Sequence, residues 1–328
     1  MRVPFLATGI LLAATAAHAE TPVLTVLTYD SFVAEWGPGP AIETAFEAEC
    51  SCDLRFIAAG DGAALLARVQ LEGAGSDTDV VLGLDTSLTD AAAATGLFAP
   101  HGLAVTWDGP VDWADSQFVP FDWGWFAMVY DTTRLPAPPT SFEALAASDI
   151  SIIIQDPRSS TPGLGLLLWV KAAYGDRAGE IWQSLADNIV TVTPGWSEAY
   201  GLFLQGEAQM VLSYTTSPAY HLIAEGDATK AAAPFTEGHY LQIEVAGKLA
   251  SAPQPELADR FLAFVGSEAF QAAIPETNWM YPAHMPAAGL PEGFASLIRP
   301  EKSLLLAPGE AEAIRRPAID EWRAALAR

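Results

Sequence analysis

Two short phrases in the chain have the residue types that begin a helix and bind an anion. They are Ser160-Thr161-Pro162-Gly163 and Thr216-Ser217-Pro218-Ala219, and each follows a strand-like apolar run and precedes a helix-like one. A Ser or Thr followed by Pro at such a junction predicts a helix N-cap and a first helical residue. The free backbone N–H groups of a helix start bind phosphate or carboxylate groups. The phrases therefore predict two anion-binding helix starts, with a plain helix cap as the alternative for each.

Aromatic and acidic side chains occur in similar surroundings. Trp196 lies between the two phrases, Trp279 lies in a second segment where core packing explains an aromatic less well, and Asp61 precedes Gly62 after a strand-like run. A cation over an aromatic ring gains about 0.5–2 kcal/mol. With the two helix starts, these residues indicate a small ligand with a flat cationic part and a polar or phosphorylated tail. Asp85 is interpreted mainly as a turn or cap residue.

A serine hydrolase is the alternative that the sequence keeps open. The segment Gly195–Ala199 is one residue away from the Gly-x-Ser-x-Gly pattern, with Ser197 as the nucleophile and His221 or His239 as the base. Ala199 replaces the last glycine, and Pro194 lies where the preceding strand should end. The chain has no Gly-x-x-x-x-Gly-Lys phosphate loop and no His-Glu-x-x-His zinc-binding helix. We therefore predict a protein that is not an enzyme, with no catalytic residues, no metal and no cofactor.

Strand-like and helix-like segments alternate along the chain, which favours an α/β fold with mainly parallel sheets. Ligands of such sheets lie beyond the carboxyl ends of the strands. The predicted strands are Val23–Tyr29, Asp53–Ala58, Asp79–Leu84, Phe126–Tyr130, Ile150–Ile154, Ile189–Val192 and Met210–Tyr214. The predicted helices are Ala63–Leu71, Gly165–Ala173, Ser197–Leu204, Ala219–Ala224, Leu257–Val265 and Glu310–Ala327, with another that opens at Gly37–Pro40.

The first residues and the charge indicate an exported, acidic protein. Residues 1–19 have a positive Arg2, an apolar run and an Ala17-His18-Ala19 cleavage site, which together predict a signal peptide. The full sequence has a net charge of −24, and removal of Arg2 with the signal peptide makes it −25. A charge of this sign disfavours nucleic acid and anionic membranes as partners and favours cations.

The two cysteines, Cys50 and Cys52, are separated by one residue. Two cysteines in an exported protein usually form a disulfide. A bond across one residue closes a very small ring, so a free pair is the alternative. The spacing alone supplies too few ligands for a metal. We interpret the pair as structural.

The length predicts two lobes. After removal of the signal peptide, 309 of 328 residues remain, which is enough for two lobes of roughly 150 residues. Since no low-complexity linker divides the chain, we expect the lobes to be interwoven, with crossings at Val119–Asp122 and Tyr240–Ala246. We assign residues 20–118 and 243–290 to the first lobe, and residues 119–242 and 291–328 to the second.

The sequence resembles the periplasmic thiamine-binding proteins of bacterial ABC importers over nearly the whole mature chain. The phrases that carry the resemblance are Leu24–Phe32, Trp36–Pro40, Asp79–Asp85, Gln155–Arg158, Ser160–Trp169, Gly195–Phe203, Leu212–Tyr220, Glu237–Tyr240 and Asn278–Pro282. Residues 103–115 and 226–233 match poorly, and neither segment carries a family ligand contact. The resemblance implies a type II periplasmic binding protein, a two-lobed α/β fold with mainly parallel sheets and a ligand cleft between the lobes.

The resemblance also implies a ligand, partners and a site. We expect a periplasmic monomer that binds thiamine, thiamine monophosphate and thiamine diphosphate and delivers them to a membrane permease driven by an ATPase. The ligand contacts implied are Asp61, Gly62, Ser160, Thr161, Trp196, Tyr214, Thr215, Thr216, Ser217 and Pro218. The family's cleft aromatics correspond to Tyr29, Trp36, Tyr220 and Trp279. A cleft protein for another cation, such as a polyamine, is the alternative among binding proteins.

Overall fold

The computed structural model describes residues 21–327, so the predicted signal peptide at residues 1–19 lies outside the described residues. Three strands and two helices come first. They are β1 (Val23–Thr28), α1 (Gly39–Cys50), β2 (Asp53–Ala58), α2 (Gly62–Glu72) and β3 (Val80–Asp85). The strands pair in parallel in the order β2-β1-β3. β3 is buried along its whole length, as its continuous apolar sequence predicts for a strand covered on both faces.

The chain continues with α3 (Thr89–Ala94), β4 (Phe118–Asp131), α4 (Phe142–Ala146), β5 (Ile152–Gln155), α5 (Thr161–Tyr174), α6 (Ala178–Leu185), β6 (Ile189–Thr193), α7 (Trp196–Gln205), β7 (Met210–Tyr214), α8 (Pro218–Tyr220), β8 (Lys230–Ala232), β9 (His239–Lys248), α9 (Pro255–Val265), α10 (Glu268–Thr277), β10 (Tyr281–Pro282), β11 (Ser303–Leu304) and α11 (Pro308–Leu326). Strands β7, β5 and β6 form a second parallel group.

Two long antiparallel strands join the two parallel groups. β9 pairs with β3 at one edge and with β4 at the other, and β4 goes on to pair with β7. The strand order is therefore β2-β1-β3-β9-β4-β7-β5-β6. Parallel strands in each half, linked through two crossing strands, confirm the predicted α/β fold with interwoven halves. The lobe boundaries given above stay a prediction.

Two predicted elements differ from the structure. β4 begins at Phe118, whereas the sequence suggested a crossing at Val119–Asp122 and a separate strand from Phe126. The two are one strand because the backbone accommodates Pro120 at a register shift in the pairing with β9. The helix predicted over Ala219–Ala224 is the three-residue α8 followed by a π-helical turn.

Helix α5 is the central helix of the second half. Every residue from Thr161 to Val170 is buried, because this helix has apolar side chains on all sides. Trp169 is fully buried, and its indole N–H donates to the Gly238 carbonyl over 2.8 Å. Such burial fixes the position of the first turn of α5, which faces the site described below.

The structure joins Cys50 to Cys52 through a disulfide at the end of α1, with Cα atoms 5.2 Å apart. Ser51, between them, has a left-handed backbone with φ of 55°. Within residues 21–327, no helix has the length and apolarity needed to cross a membrane.

Candidate functional site

A cavity of about 310 Å³ lies where the ends of β1 and β7 meet the first residues of α2, α5 and α7. It is lined by Tyr29, Ser31, Trp36, Asp61, Gly62, Thr161, Pro162, Trp196, Ser197, Tyr200, Gly201, Leu204, Tyr214, Ser217, Tyr220, Glu244, Asn278, Trp279 and Met280. Ten of the fourteen predicted ligand contacts are among these residues. The position agrees with the rule that α/β proteins bind ligands beyond the carboxyl ends of their strands.

The carboxylate of Asp61 connects the starts of three helices. Its Oδ2 accepts hydrogen bonds from Ser160 Oγ over 2.7 Å and from the backbone N–H of Trp196 over 3.2 Å. The backbone N–H of Gly62 donates to Thr161 Oγ1 over 3.0 Å. Burial raises the pKa of Asp61 to about 6, although the two hydrogen bonds lower it. A carboxylate of the protein itself therefore binds the first backbone N–H of α7 and the hydroxyl that caps α5.

The indole of Trp196 forms one wall of the cavity. A hydrogen bond fixes its N–H group, and stacking fixes its ring. Its Nε1–H donates to Ser213 Oγ over 2.8 Å, and its ring stacks on Tyr200 with centroids 5.1 Å apart and planes 21° apart. The Trp36 ring lies 6.2 Å from it across the cavity wall. Because the indole is fixed in this way, its remaining surface is available as a flat platform for a ligand ring.

Two further aromatic side chains line the cavity. Tyr220 and Trp279 meet edge to face with ring centroids 5.3 Å apart. The backbone of Trp279 has φ of 57°, a left-handed conformation that is rare for a bulky residue. Such conformations concentrate at ligand sites, where the surrounding structure holds them.

Two buried carboxyl groups beside the cavity were not predicted. Glu244 lines the cavity, and Asp122 lies opposite it in the pairing of β4 with β9. Asp122 is fully buried, and Glu244 is only 6% exposed. The available signal was one acidic residue in each of the two predicted crossing segments, Val119–Asp122 and Tyr240–Ala246, whose other residues are mostly apolar.

Tyr29 packs tightly beside this pair. Its hydroxyl donates to Glu244 Oε2 over 2.9 Å, and Asn278 Nδ2 donates to the Tyr29 hydroxyl oxygen over 2.9 Å. A Cβ on Gly83, whose φ is 106°, would lie 2.2 Å from Tyr29 Cδ1. Gly83 is thus required both by its backbone conformation and by the Tyr29 ring.

Four of the predicted contacts lie outside the cavity lining. Ser160, Thr215 and Thr216 are fully buried, and Pro218 lies beside the lining at the start of α8. Ser160 acts through Asp61, as described above. The Thr216 hydroxyl contacts Met280 Sδ at 3.6 Å. These four residues support the wall of the cavity and do not line it.

The prediction that the second segment, Thr216–Ala219, caps a helix is wrong. Ser217 has helical backbone angles, and its side chain caps no helix. Its Oγ instead accepts from the backbone N–H of Tyr214 over 3.1 Å and lies 2.6 Å from Ser213 Oγ. The first start does form a cap, but at Ser160, whose side chain accepts from the Gly163 N–H; Thr161 and Pro162 are the first two helical residues.

Ser197 lines the cavity, but His221 and His239 form their hydrogen bonds with other residues. His221 Nε2 contacts the Tyr200 hydroxyl at 2.9 Å, and its Nδ1 contacts Glu225 at 2.7 Å. His239 bonds to the Phe126 carbonyl and to the Phe235 backbone N–H. Neither arrangement supplies the nucleophile–base hydrogen bond that a serine hydrolase uses.

The cavity combines ring faces with acidic groups. Within residues 21–327, its lining contains the carboxyl groups of Asp61 and Glu244 and no lysine, arginine or histidine. Seven aromatic residues and two carboxyl groups around so small a space suit a flat ligand that carries positive charge.

Comparison with known proteins agrees with this geometry. The family described as bacterial extracellular solute-binding protein matches residues 40–277. The thiamine-binding periplasmic protein of Escherichia coli (strain K12) is 54% identical over 322 residues, which cover 97% of this chain and 98% of the relative. The protein of the same name from Brucella melitensis is 52% identical over 308 residues, 93% of this chain and 92% of the relative.

Solved structures give the same result. A periplasmic thiamin binding protein of 53% sequence identity superposes with a TM-score of 0.92 over 98% of this chain and all of its own. The iron-bound HitA from Pseudomonas aeruginosa, at 19% identity, superposes with a TM-score of 0.72 over 93% of this chain and 99% of its own. The second likeness shows the fold alone.

Proposed function

The chain belongs to the bacterial extracellular solute-binding proteins, within the group of periplasmic thiamine-binding proteins, and from this we propose that its cavity is the thiamine site of an ABC importer. The protein acts in the periplasm, where it binds the vitamin before transport. The single observation that carries the proposal is the cavity itself, in which fixed aromatic faces surround two acidic groups and no basic side chain of residues 21–327 takes part.

The chemistry of thiamine fits the two ends of the cavity. Its aminopyrimidine ring carries an amino group that can donate to the Asp61 carboxylate, beside the indole of Trp196. Its thiazolium ring carries a permanent positive charge that aromatic faces and carboxylates stabilise. In this orientation the flat rings replace water on the walls formed by Trp196, Tyr220 and Trp279.

The proposal also covers the phosphate esters of thiamine, the transport partners and the oligomeric state. We propose that thiamine monophosphate and diphosphate bind as well, with the phosphate tail held by hydroxyl groups that line the cavity, such as that of Ser217. A cavity without basic side chains tolerates a phosphate more than it requires one. The protein works as a monomer that delivers its ligand to a membrane permease and ATPase, and it uses thiamine as cargo, with no cofactor, no metal and no catalysis.

Calorimetry on the mature protein tests the proposal. Residues 20–328 are unfolded to remove endogenous ligand, refolded, and titrated with thiamine and each phosphate ester. We expect one molecule of thiamine per chain, and spermidine should not displace it. Absence of heat with all three ligands, in protein that refolds with a normal melting curve, rejects the proposal. Displacement of thiamine by spermidine at comparable concentration would favour a polyamine site instead.

A further inference from the structure

A pair of buried carboxyl groups, Asp122 and Glu244, lies at the wall of the cavity. The aromatic contacts described above give this pair no role. Asp122 and Glu244 are direct partners across the antiparallel strands β4 and β9. Glu244 reaches the cavity, and Asp122 lies behind it without exposure to solvent. Two ionised carboxylates at such positions repel each other and lose hydration, so the pair is unstable unless it holds a proton.

Neutral side chains make the hydrogen bonds to this pair. Tyr29 Oη donates to Glu244 Oε2 over 2.9 Å, Gln242 Nε2 donates to Glu244 Oε1 over 2.7 Å, and Asn278 Nδ2 donates to Asp122 Oδ2 over 2.5 Å. None of these donors carries the positive charge that would balance two carboxylates. Asp122 Oδ1 is buried and receives no hydrogen bond from them. A proton on Glu244 can be donated to Asp122, since the two carboxyl groups lie within hydrogen-bond reach of each other.

The other titratable groups that act on the pair add no positive charge. Within residues 21–327, they are Tyr29 after β1, Asp85 at the end of β3 and Tyr214 at the end of β7. Burial raises the pKa of Asp122 to about 7 and that of Glu244 well above its ordinary range, where the Asp122 charge raises it further. Burial likewise raises the pKa of Asp85 to about 6. The pair therefore keeps at least one proton in the empty cavity near neutral pH.

Resting on the proposed function, we infer that the Asp122–Glu244 carboxyl pair recognises the thiazolium charge and releases its shared proton when that ring binds. A thiazolium ring has no N–H, so a hydrogen-bond acceptor alone cannot distinguish it from a neutral ring of the same shape. A second negative charge in the pair distinguishes the two, because it attracts only the charged ring. The proton passes from the pair to solvent, the pair changes from one negative charge to two, and the ligand brings one positive charge. No covalent bond of the ligand changes.

Proton release is measured by titrating thiamine at pH 8 in two buffers of different ionisation enthalpy, phosphate and Tris. The matched probe is deazathiamine, in which a neutral thiophene replaces the thiazolium ring while the aminopyrimidine is unchanged. We expect close to one proton released per thiamine and none per deazathiamine. In Glu244→Gln, thiamine should bind about tenfold or more weakly and release no proton, while deazathiamine affinity should change less than about threefold. Asp122→Asn repeats the measurement should Glu244→Gln fail to fold.

The control variant is Glu207→Gln, an exposed carboxyl outside the cavity lining, which should release the proton as the wild type does. Equal heats of thiamine binding in the two buffers overturn the inference and leave the proposed function intact. Equal proton release with deazathiamine also overturns it, because the ligand charge would then not be the cause. If neither probe binds or raises the melting temperature, both proposals fall.

Discussion

Trp196 contributes to the site through two parts of one side chain, the ring face and the indole N–H. Removal of the ring in Trp196→Ala should weaken thiamine about tenfold, since a stacked aromatic pair contributes about 0.5–1.5 kcal/mol beyond the area that it buries. It should also lower stability, because the indole stacks on Tyr200 and donates to Ser213. Trp196→Phe keeps a ring face and should retain most of the affinity. Calorimetry of the two variants beside their melting curves separates these effects, and unchanged affinity in Trp196→Ala would remove Trp196 from the site.

Asp61 should make thiamine binding depend on pH. Its pKa of about 6 means that the carboxylate is charged at pH 8 and largely neutral at pH 5. We therefore expect Asp61→Asn to bind thiamine about tenfold or more weakly than wild type at pH 8, and the difference to narrow as the pH falls below 6. Titrations at pH 5, 6 and 8 check this. A constant ratio across the three values would show that the charge of Asp61 does not contribute.

The close approach of α2 to α5 positions both Asp61 and Thr161. A Cβ on Gly62 would lie 2.4 Å from Thr161 Oγ1 and 2.9 Å from the Gly83 carbonyl oxygen. Gly62→Ala should therefore push the two helix starts apart, lower the free energy of unfolding by about 1–3 kcal/mol, and weaken thiamine binding. Chemical denaturation and calorimetry measure the two losses.

Gly75→Ala is the matched control for this pair of helices, because no heavy atom lies within 4 Å of the added Cβ. It should leave both stability and affinity close to those of the wild type. If Gly62→Ala behaves like Gly75→Ala, the contact between the helix starts does not set the geometry of the site.

The buried acids make the stability of the whole ligand-free molecule depend on pH. The folded-state pKa values of Asp61, Asp85 and Asp122 are raised to about 6, 6 and 7. A group with a raised folded pKa contributes stability that is complete below its unfolded pKa, about 4, and is lost as the pH rises through the folded value. The free energy of unfolding without ligand should therefore fall from pH 5 to pH 8.

Urea denaturation at pH 5, 6.5 and 8 measures the slope of the unfolding free energy against pH. In Asp85→Asn the slope should be smaller, because one of the titrating acids is gone while the cavity lining is intact. Glu207→Gln should reproduce the wild-type slope. Stability that rises between pH 5 and pH 8 in the ligand-free protein would contradict the assignment of these groups as buried acids.

The sequence by itself determined the elements and the aromatic part of the site. Val23–Tyr29 and Asp79–Leu84 are apolar runs of strand length, and the strands β1 and β3 lie there within one residue at each end. Ser160 and Trp196 stand at strand-to-helix junctions, so their places at the starts of α5 and α7 depend on local backbone preferences that a sequence records. The extent of the resemblance assigned most of the cavity lining.

Only the tertiary structure decided where the acidic groups lie. Asp122 and Glu244 are 122 positions apart, and they meet because the register of β4 against β9 brings them together. Their desolvation depends on strands from both halves of the molecule, which no local pattern encodes. Long-range packing also explains Ser217. Its hydroxyl was predicted to cap a helix, but in the fold it accepts a hydrogen bond from the end of β7. Local preference chooses an element, whereas long-range packing chooses the partner of each polar group.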